Sequence, residues 1–237
     1  SLLDYEFGEA DVVGGALNDQ TIVGGDLTLD GTLNVSISAG GSFDPGVYRV
    51  LTYSGALTDN GLEVGTIPST GYYVQTSILG QVNLVNTTGL TLNYWDGAAG
   101  PKNDGMVNGG DGIWQNAGTG DNWTEASGAV NAPWTPEAFA IFSAAPGTVT
   151  IDNGNGQVEA SGMQFTSSGY VLTGDTLALV GSAASPDSAI VRVGDGSSVG
   201  ATIVATVDAP LGGTTLVKTD LGTLILNGDN GHAGTQA

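Results

Sequence analysis

Apolar residues in this chain alternate with polar ones in short bursts, and nowhere do they recur at the three-to-four spacing of a helix face. The bursts fall at 27–29, 33–37, 47–51, 81–85 and 90–92, and again at 149–151, 163–165, 170–172, 177–179, 190–193, 202–207, 216–218 and 224–226. Alternation puts every second side chain on one face of an extended backbone, so each burst reads as a half-buried strand. Most bursts are separated by Gly-Gly, Asp-Gly, Asn-Gly or Ser-Gly, which are turn dipeptides. Gly supplies 40 of the 237 residues, more than twice the usual share of about 7%. The apolar material is mainly Val, Leu and Ile beside abundant Thr, a composition suited to strands. The chain is therefore expected to be all-β.

Many short strands at close spacing fit a sandwich or barrel, or a solenoid whose coils each contribute two or three strands to parallel sheets. The Gly content and the lack of a long loop favour the solenoid. So does the absence of Cys, because stacking supplies through backbone pairing what a small secreted domain otherwise takes from disulfides. At roughly 20 to 25 residues per coil the chain makes about ten coils. One stretch breaks the pattern. Residues 94–134 hold all four Trp amid Gly, Asn and Asp, with little strand character. We read coils over 1–93, a Trp/Gly-rich excursion or irregular coils over 94–134, and coils again over 135–237, together one continuous piece of a longer protein.

Charge excludes several functions. With 24 acidic residues against 4 basic ones, the net charge is −20. Phosphate contacts need clustered Lys and Arg, so nucleic-acid binding and docking on anionic lipid are not expected. No apolar run approaches the length of a membrane span. His232 is the sole His and there is no Cys, too little for a typical zinc site, and a catalytic triad would need a nucleophile and an acid beside that one ring. No Gly-x-Ser-x-Gly elbow or phosphate-cradling loop is present. Asn108-Gly109-Gly110-Asp111-Gly112 and Gly194-Asp195-Gly196 are fragments of a calcium β-roll repeat, but neither recurs in tandem. No cofactor, no metal and no catalytic residue is expected. A glycosidase needs only two carboxylates, yet most Asp here adjoin Gly or Asn as turn residues do. The best candidate for a ligand surface is the excursion. Trp114, Trp123 and Trp134, with Asp111 and Asp121, are the residue types that stack and hydrogen-bond a sugar. The competing reading is that these rings plug the core, since Trp is usually highly buried.

The C-terminal stretch 216–235 carries a pattern of its own. It runs Leu216-x-Lys218, then Gly222-x-Leu224-x-Leu226, then Gly228-x-Asn230 and Gly234. This resembles the passenger-associated transport repeat of bacterial autotransporters. Asp220 stands where that repeat usually has Gly, and His232 where it has Tyr. Leu224 and Leu226, two apart, point to one side, and Gly222 and Gly228 bracket them. A looser resemblance to the coils of large rhizobial- and Brucella-like autotransporters spans residues 24–53, Tyr94-Trp95-Asp96-Gly97, and the elements around Trp114 and Trp123. The resemblance implies a right-handed parallel β-helix at the bacterial surface or secreted, exported through a C-terminal translocator barrel of the parent protein. It implies a scaffold or adhesin, not an enzyme, meeting host-cell or neighbouring-cell glycans or proteins. A carbohydrate-binding module on the Trp-rich excursion is the alternative, and a glycoside-cleaving β-helix a lesser one.

Overall fold

The computed structural model describes residues 1–116 and 120–237, and it divides into two compact units, residues 1–90 and 91–237. Its described residues form strands joined by turns and two short 3-10 segments, with no α-helix. Among the described residues no helix is long and apolar enough to cross a membrane.

The first unit holds β1 (Leu2–Phe7), β2 (Thr21–Val23), β3 (Leu27–Ile37), β4 (Gly46–Tyr53), β5 (Leu57–Val64), β6 (Tyr72–Gln75) and β7 (Gln81–Asn86). β1, β3 and β5 form one parallel sheet. β3 fuses two of the sequence bursts across Gly31, where its register with β5 shifts. Gly31 has φ +120°, and a Cβ there would stand 2.3 Å from the Ser1 carbonyl oxygen, so no other residue fits without moving the first strand. The second sheet is mixed. β2 pairs β4 in parallel, but β4 and β6 both run antiparallel to β7. Between the sheets lie Phe7, Leu33, Tyr48, Val50, Val82 and Leu84, all without exposed surface. Asn83 and Gln75 are equally buried. Asn83 donates to Gln75 Oε1 at 2.9 Å and accepts from Arg49 Nε at 2.5 Å, which spares these polar groups the cost of burial without partners.

Burial also moves a titration. The Tyr48 hydroxyl donates to the Asp44 carbonyl at 2.9 Å. Desolvation, helped by the nearby charges of Asp44 and Asp11, pushes its pKa up to about 12. A phenol raised above its unfolded value of about 10 favours folding below that pH, and the contribution is lost as pH rises through the folded value. Tyr170 in the second unit is raised by the same cause. Ultraviolet titration of the phenolates should therefore show two tyrosines that stay neutral past pH 11 and ionise together with loss of the β signal. Smooth ionisation of every tyrosine near pH 10 would contradict the burial.

The second unit begins with β8 (Tyr94–Trp95), β9 (Gly112–Gln115), β10 (Trp123–Thr124) and β11 (Asn131–Ala132). It continues with β12 (Phe139–Phe142), β13 (Thr148–Asp152), β14 (Glu159–Ala160), β15 (Gly162–Phe165), β16 (Val171–Gly174), β17 (Leu177–Leu179) and β18 (Ser188–Val193). The last strands are β19 (Val204–Val207), β20 (Leu211–Gly213), β21 (Thr215–Thr219), β22 (Thr223–Leu226) and β23 (Thr235–Gln236). From β12 to β22 the chain visits three sheets in rotation, so each strand up to β19 pairs in parallel with the third strand after it. β12 pairs β15, β15 pairs β18, and β18 pairs β21. β13 pairs β16, which pairs β19, which pairs β22. β14 pairs β17, and β17 pairs β20. In the last turn the third sheet gains no strand, yet Gly231 and Ala233 still donate to the carbonyls of Leu211 and Gly213.

Register keeps like beside like. Ala140 and Phe142 align with Met163 and Phe165, and these with Val191 and Val193, all fully buried. Strand spacing of about 4.8 Å brings such side chains into van der Waals contact along the stack. The stretch 94–134 contains β8 to β11. β8, β10 and β11 pair antiparallel at one end of the large sheet, while β9 joins the sheet of β13 in parallel.

Candidate functional site

The four Trp rings point inward. Trp95 and Trp114 have no exposed surface, Trp123 retains 1% and Trp134 3%. They form one aromatic stack with Phe142, Phe165 and Tyr170. Trp123 lies 4.2 Å from Trp134, 4.9 Å from Trp114 and 5.2 Å from Trp95, and Phe142 contacts Trp95, Trp114, Trp123, Phe165 and Tyr170. Trp95 donates to the Gly110 carbonyl and Trp134 to that of Glu159. The indole N–H groups of Trp114 and Trp123 are buried without an acceptor among the described residues.

Stacking a sugar needs an open ring face, and Trp114, Trp123 and Trp134 offer none in this fold. Asp111 is exposed at a corner, where it accepts from Thr148 N at 2.7 Å, and Asp121 is buried. The five residues named from sequence as a ligand surface therefore do not share one.

Around the stack runs a polar belt that sequence reasoning missed. Asp96 is fully buried and accepts from Asn108 N at 2.7 Å and from Asn131 Nδ2 at 2.8 Å. Asn131 and Asn103 exchange backbone-to-side-chain bonds, each 2.7 Å. Lys102 Nζ donates to the Asp96 carbonyl and, at 2.7 Å, to Asn122 Oδ1. These bonds fold the loop after β8 back onto the ends of β10 and β11. The only sequence signal was that Lys102 is one of four cations.

The repeat residues occupy structural positions. Leu216 is fully buried opposite Ala189. Lys218 sits opposite Val191 at the end of an inward column and turns its Nζ to the Asp220 carbonyl at 2.6 Å. Leu224 and Leu226 face inward beside Ala205 and Val207, but they remain half-buried because β22 is the last strand of its sheet. A Cβ on Gly222 would come within 2.7 Å of the Ile203 carbonyl oxygen, and one on Gly228 within 2.4 Å of that of Ala209. Asn230 Oδ1 accepts from Leu211 N in the preceding turn at 2.9 Å, and the Gly234 carbonyl accepts from Leu216 N. Asp220 has φ +67°. The corner thus demands the left-handed conformation that a Gly adopts freely and an Asp tolerates. Its carboxylate is held below its ordinary pKa by the Leu221 N–H, by Arg192 and by the Gly196 N–H. His232, at the Tyr position, meets Thr235 Oγ1 at 2.8 Å.

The outer face of the large sheet carries a shallow groove lined by Phe139, Gln164, Ile190, Arg192, Gly196, Thr219 and Asp220. It follows from the pairing. Phe139, Gly162 and Ile190 stand side by side in register, as do Ile141, Gln164, Arg192 and Thr219. A Cβ on Gly162 would stand 2.7 Å from the Phe139 ring, so the ring lies over the bare backbone. Arg192 and Asp220 close one side with a 2.9 Å ion pair. Strand alternation marks Ile190 and Arg192 as outward residues, but only the fold makes them neighbours of Phe139.

Burial pushes Glu125 up, but hydrogen bonds from Ser127, Thr124 and Ala129 outweigh it and hold the carboxyl low. Asp195 is lowered by the hydroxyl and N–H of Ser197. Among the described residues no group of three His, Cys, Asp or Glu is placed to hold a metal ion.

No family model and no solved structure matches the chain. A curated protein does. It is the adhesin BmaC autotransporter of Brucella suis biovar 1 (strain 1330), 51% identical over 241 residues that take in 99% of this chain. The chain belongs to an autotransporter passenger region. The passenger segment spans only 7% of that relative's length, and its place is the cell surface or the secreted fraction.

Proposed function

We propose that this passenger segment is a stretch of right-handed parallel β-helix that acts as an adhesive scaffold of its parent protein and carries no catalytic site. The observation that supports this best is the rotation of strands β12 to β22 through three sheets, each strand from β12 to β19 paired in parallel with the third after it. A chain built this way grows by adding turns, and it presents long sheet faces to the outside. In this reading 1–93 and 135–237 are coils, and 94–134 is an elaborated stretch whose Trp rings plug the interior. The matched relative is named an adhesin. By analogy the segment's outer faces meet glycans or proteins of host or neighbouring cells, and a translocator barrel elsewhere in the parent protein exports it.

The contact surface we assign is the groove over Phe139 and Ile190. It is the better surface because it offers an aromatic ring, an exposed apolar side chain and planar polar groups together, the mix found where binding energy concentrates. The parent passenger, displayed on bacteria, is expected to lose at least about half its attachment to target cells when Phe139→Ser and Ile190→Ser are combined, at unchanged surface level. Attachment equal to wild type would remove the groove from the mechanism. Equal attachment after the whole segment is deleted would leave it a spacer.

A further inference from the structure

We propose that Asn60 is a site of spontaneous modification, where the side-chain amide is lost and an isoaspartyl or aspartyl residue is left. The tripeptide Asp-Asn-Gly occurs three times, at 59–61, 152–154 and 229–231. In an Asn-Gly pair the Gly nitrogen reaches the preceding side-chain amide with no Cβ in the way. Local sequence makes the three copies equivalent, and the fold does not. Asn153 is tied at both ends of its amide, since Nδ2 donates to the Thr176 carbonyl and Oδ1 accepts from Val158 N, each at 2.9 Å. Asn230 Oδ1 accepts from Leu211 N at 2.9 Å, and Gly231 N, the nitrogen that would attack it, donates to the Leu211 carbonyl. The Asn60 side chain is exposed and free of such ties among the described residues.

The backbone at 59–61 is open as well. β5 is the last strand of its sheet, and its register with β3 slips between the Leu29–Asp59 and Gly31–Leu62 pairs. Asn60 and Gly61 therefore stand opposite one residue, outside the ladder, as in a β-bulge. Gly61 has φ +91° and nothing within 4 Å of where a Cβ would stand. With Asp30, Thr32 and Glu63 the two residues line an open polar depression. Asp59 Oδ1 accepts from Gly61 N at 2.9 Å, within the reach of a base that takes a proton from that nitrogen. Asp152 makes the same bond to Gly154 N at 2.8 Å, so the anchored amide is what separates Asn153 from Asn60.

Rotation of the free Asn60 side chain brings Cγ to the Gly61 nitrogen. The N–Cγ bond forms, the Cγ–Nδ2 bond breaks, and Asp59 takes the proton from the nitrogen. Nδ2 gains a proton from water and leaves as ammonia, and Asp59 returns its own to the solvent. The product is a five-membered cyclic imide. Water then opens the ring at either carbonyl. Opening at Cγ restores the ordinary backbone with an aspartyl side chain. Opening at the backbone carbonyl runs the chain through Cγ, the isoaspartyl form, one backbone atom longer. Nothing is oxidised or reduced. Either product adds one negative charge to a chain that already carries −20.

Peptide mapping of the folded chain, held at neutral pH and sampled over weeks, tests this. Trypsin cutting after Arg49, Lys102, Arg192 and Lys218 puts Asn60 in 50–102, Asn153 in 103–192 and Asn230 in 219–237. Peptide 50–102 should gain about 1 Da and accept a methyl group from an isoaspartyl methyltransferase, with fragmentation placing the change at position 60. Asn60 should convert at least about tenfold faster than Asn153 or Asn230, the difference that two ordinary hydrogen bonds impose. In urea, where those bonds are gone, the three should convert within about a factor of two of one another. Asn60→Gln should hold 50–102 at its sequence mass. Equal rates at the three positions in the folded chain, or an unchanged Asn60 while another converts, overturn the proposal. Asp59→Ala should slow Asn60 about tenfold or more, and an unchanged rate would remove Asp59 from the reaction.

Discussion

Replacing Phe142 with Ala should cost the second unit about 3–5 kcal/mol of stability, the usual range for truncating a buried Phe. The ring has no exposed surface and touches three of the four Trp rings as well as Phe165 and Tyr170. Its removal leaves a void bounded by rigid rings that collapse poorly, which places the cost toward the upper end. Urea unfolding followed by Trp emission is the direct measurement, because every Trp lies in this unit and the signal reports it alone. The variant should also show emission shifted to longer wavelength before the transition, as water reaches the gap. A midpoint equal to wild type would mean that the aromatic stack is not the core of the unit.

The second large effect is expected at Leu216. Leu216→Asp puts a carboxylate at a position without exposed surface, between Ala189 on one side and Thr235 on the other, with no cation in register to pair it. Burying an unpaired charge costs about 4 kcal/mol or more, or forces local opening. Limited proteolysis should therefore cut first in the last turns, around β21 to β23, while fragments containing β12 to β18 survive. Leu224→Asp makes the informative comparison. The two leucines belong to the same repeat pattern, but Leu224 is half-buried on the last strand of its sheet. Its substitution should cost clearly less. Equal effects would mean that the last strand is covered as fully as the one before it.

Much of this architecture was legible in alternation alone. The bursts at 47–51, 81–85, 163–165, 190–193 and 224–226 all became strands, because period two records which side chains leave water. Pairing direction was not legible. The same alternation serves parallel and antiparallel ladders, so nothing in 47–51 or 81–85 announced that β4 and β7 would run in opposite directions. The stretch 94–134 hid its strands for a different reason. β8, β10 and β11 are two residues long, too short to show a period, and their burial comes from rings stacked on one another and not from an apolar stripe. A Trp set among Gly, Asn and Asp looks the same in sequence whether it faces a sugar or a core. The repeat at 216–235 was readable because Gly222 and Gly228 mark corners where a Cβ would collide with the preceding turn. The groove over Phe139 and the meeting of Lys102 with Asn122 depend on which turns stack and how a loop closes, and local pattern carries neither.

The rotation of strands through three sheets also sets an order of events. A strand such as β18 bonds the turn on either side of it, β15 along one edge and β21 along the other. Each turn is thus the template for the next, and ordering can advance by one turn at a time without waiting for distant parts of the chain to meet. A polypeptide delivered end-first through a narrow opening would settle as it emerges. Every finished turn would be too wide to slip back, so the fold itself would act as the pawl of a ratchet.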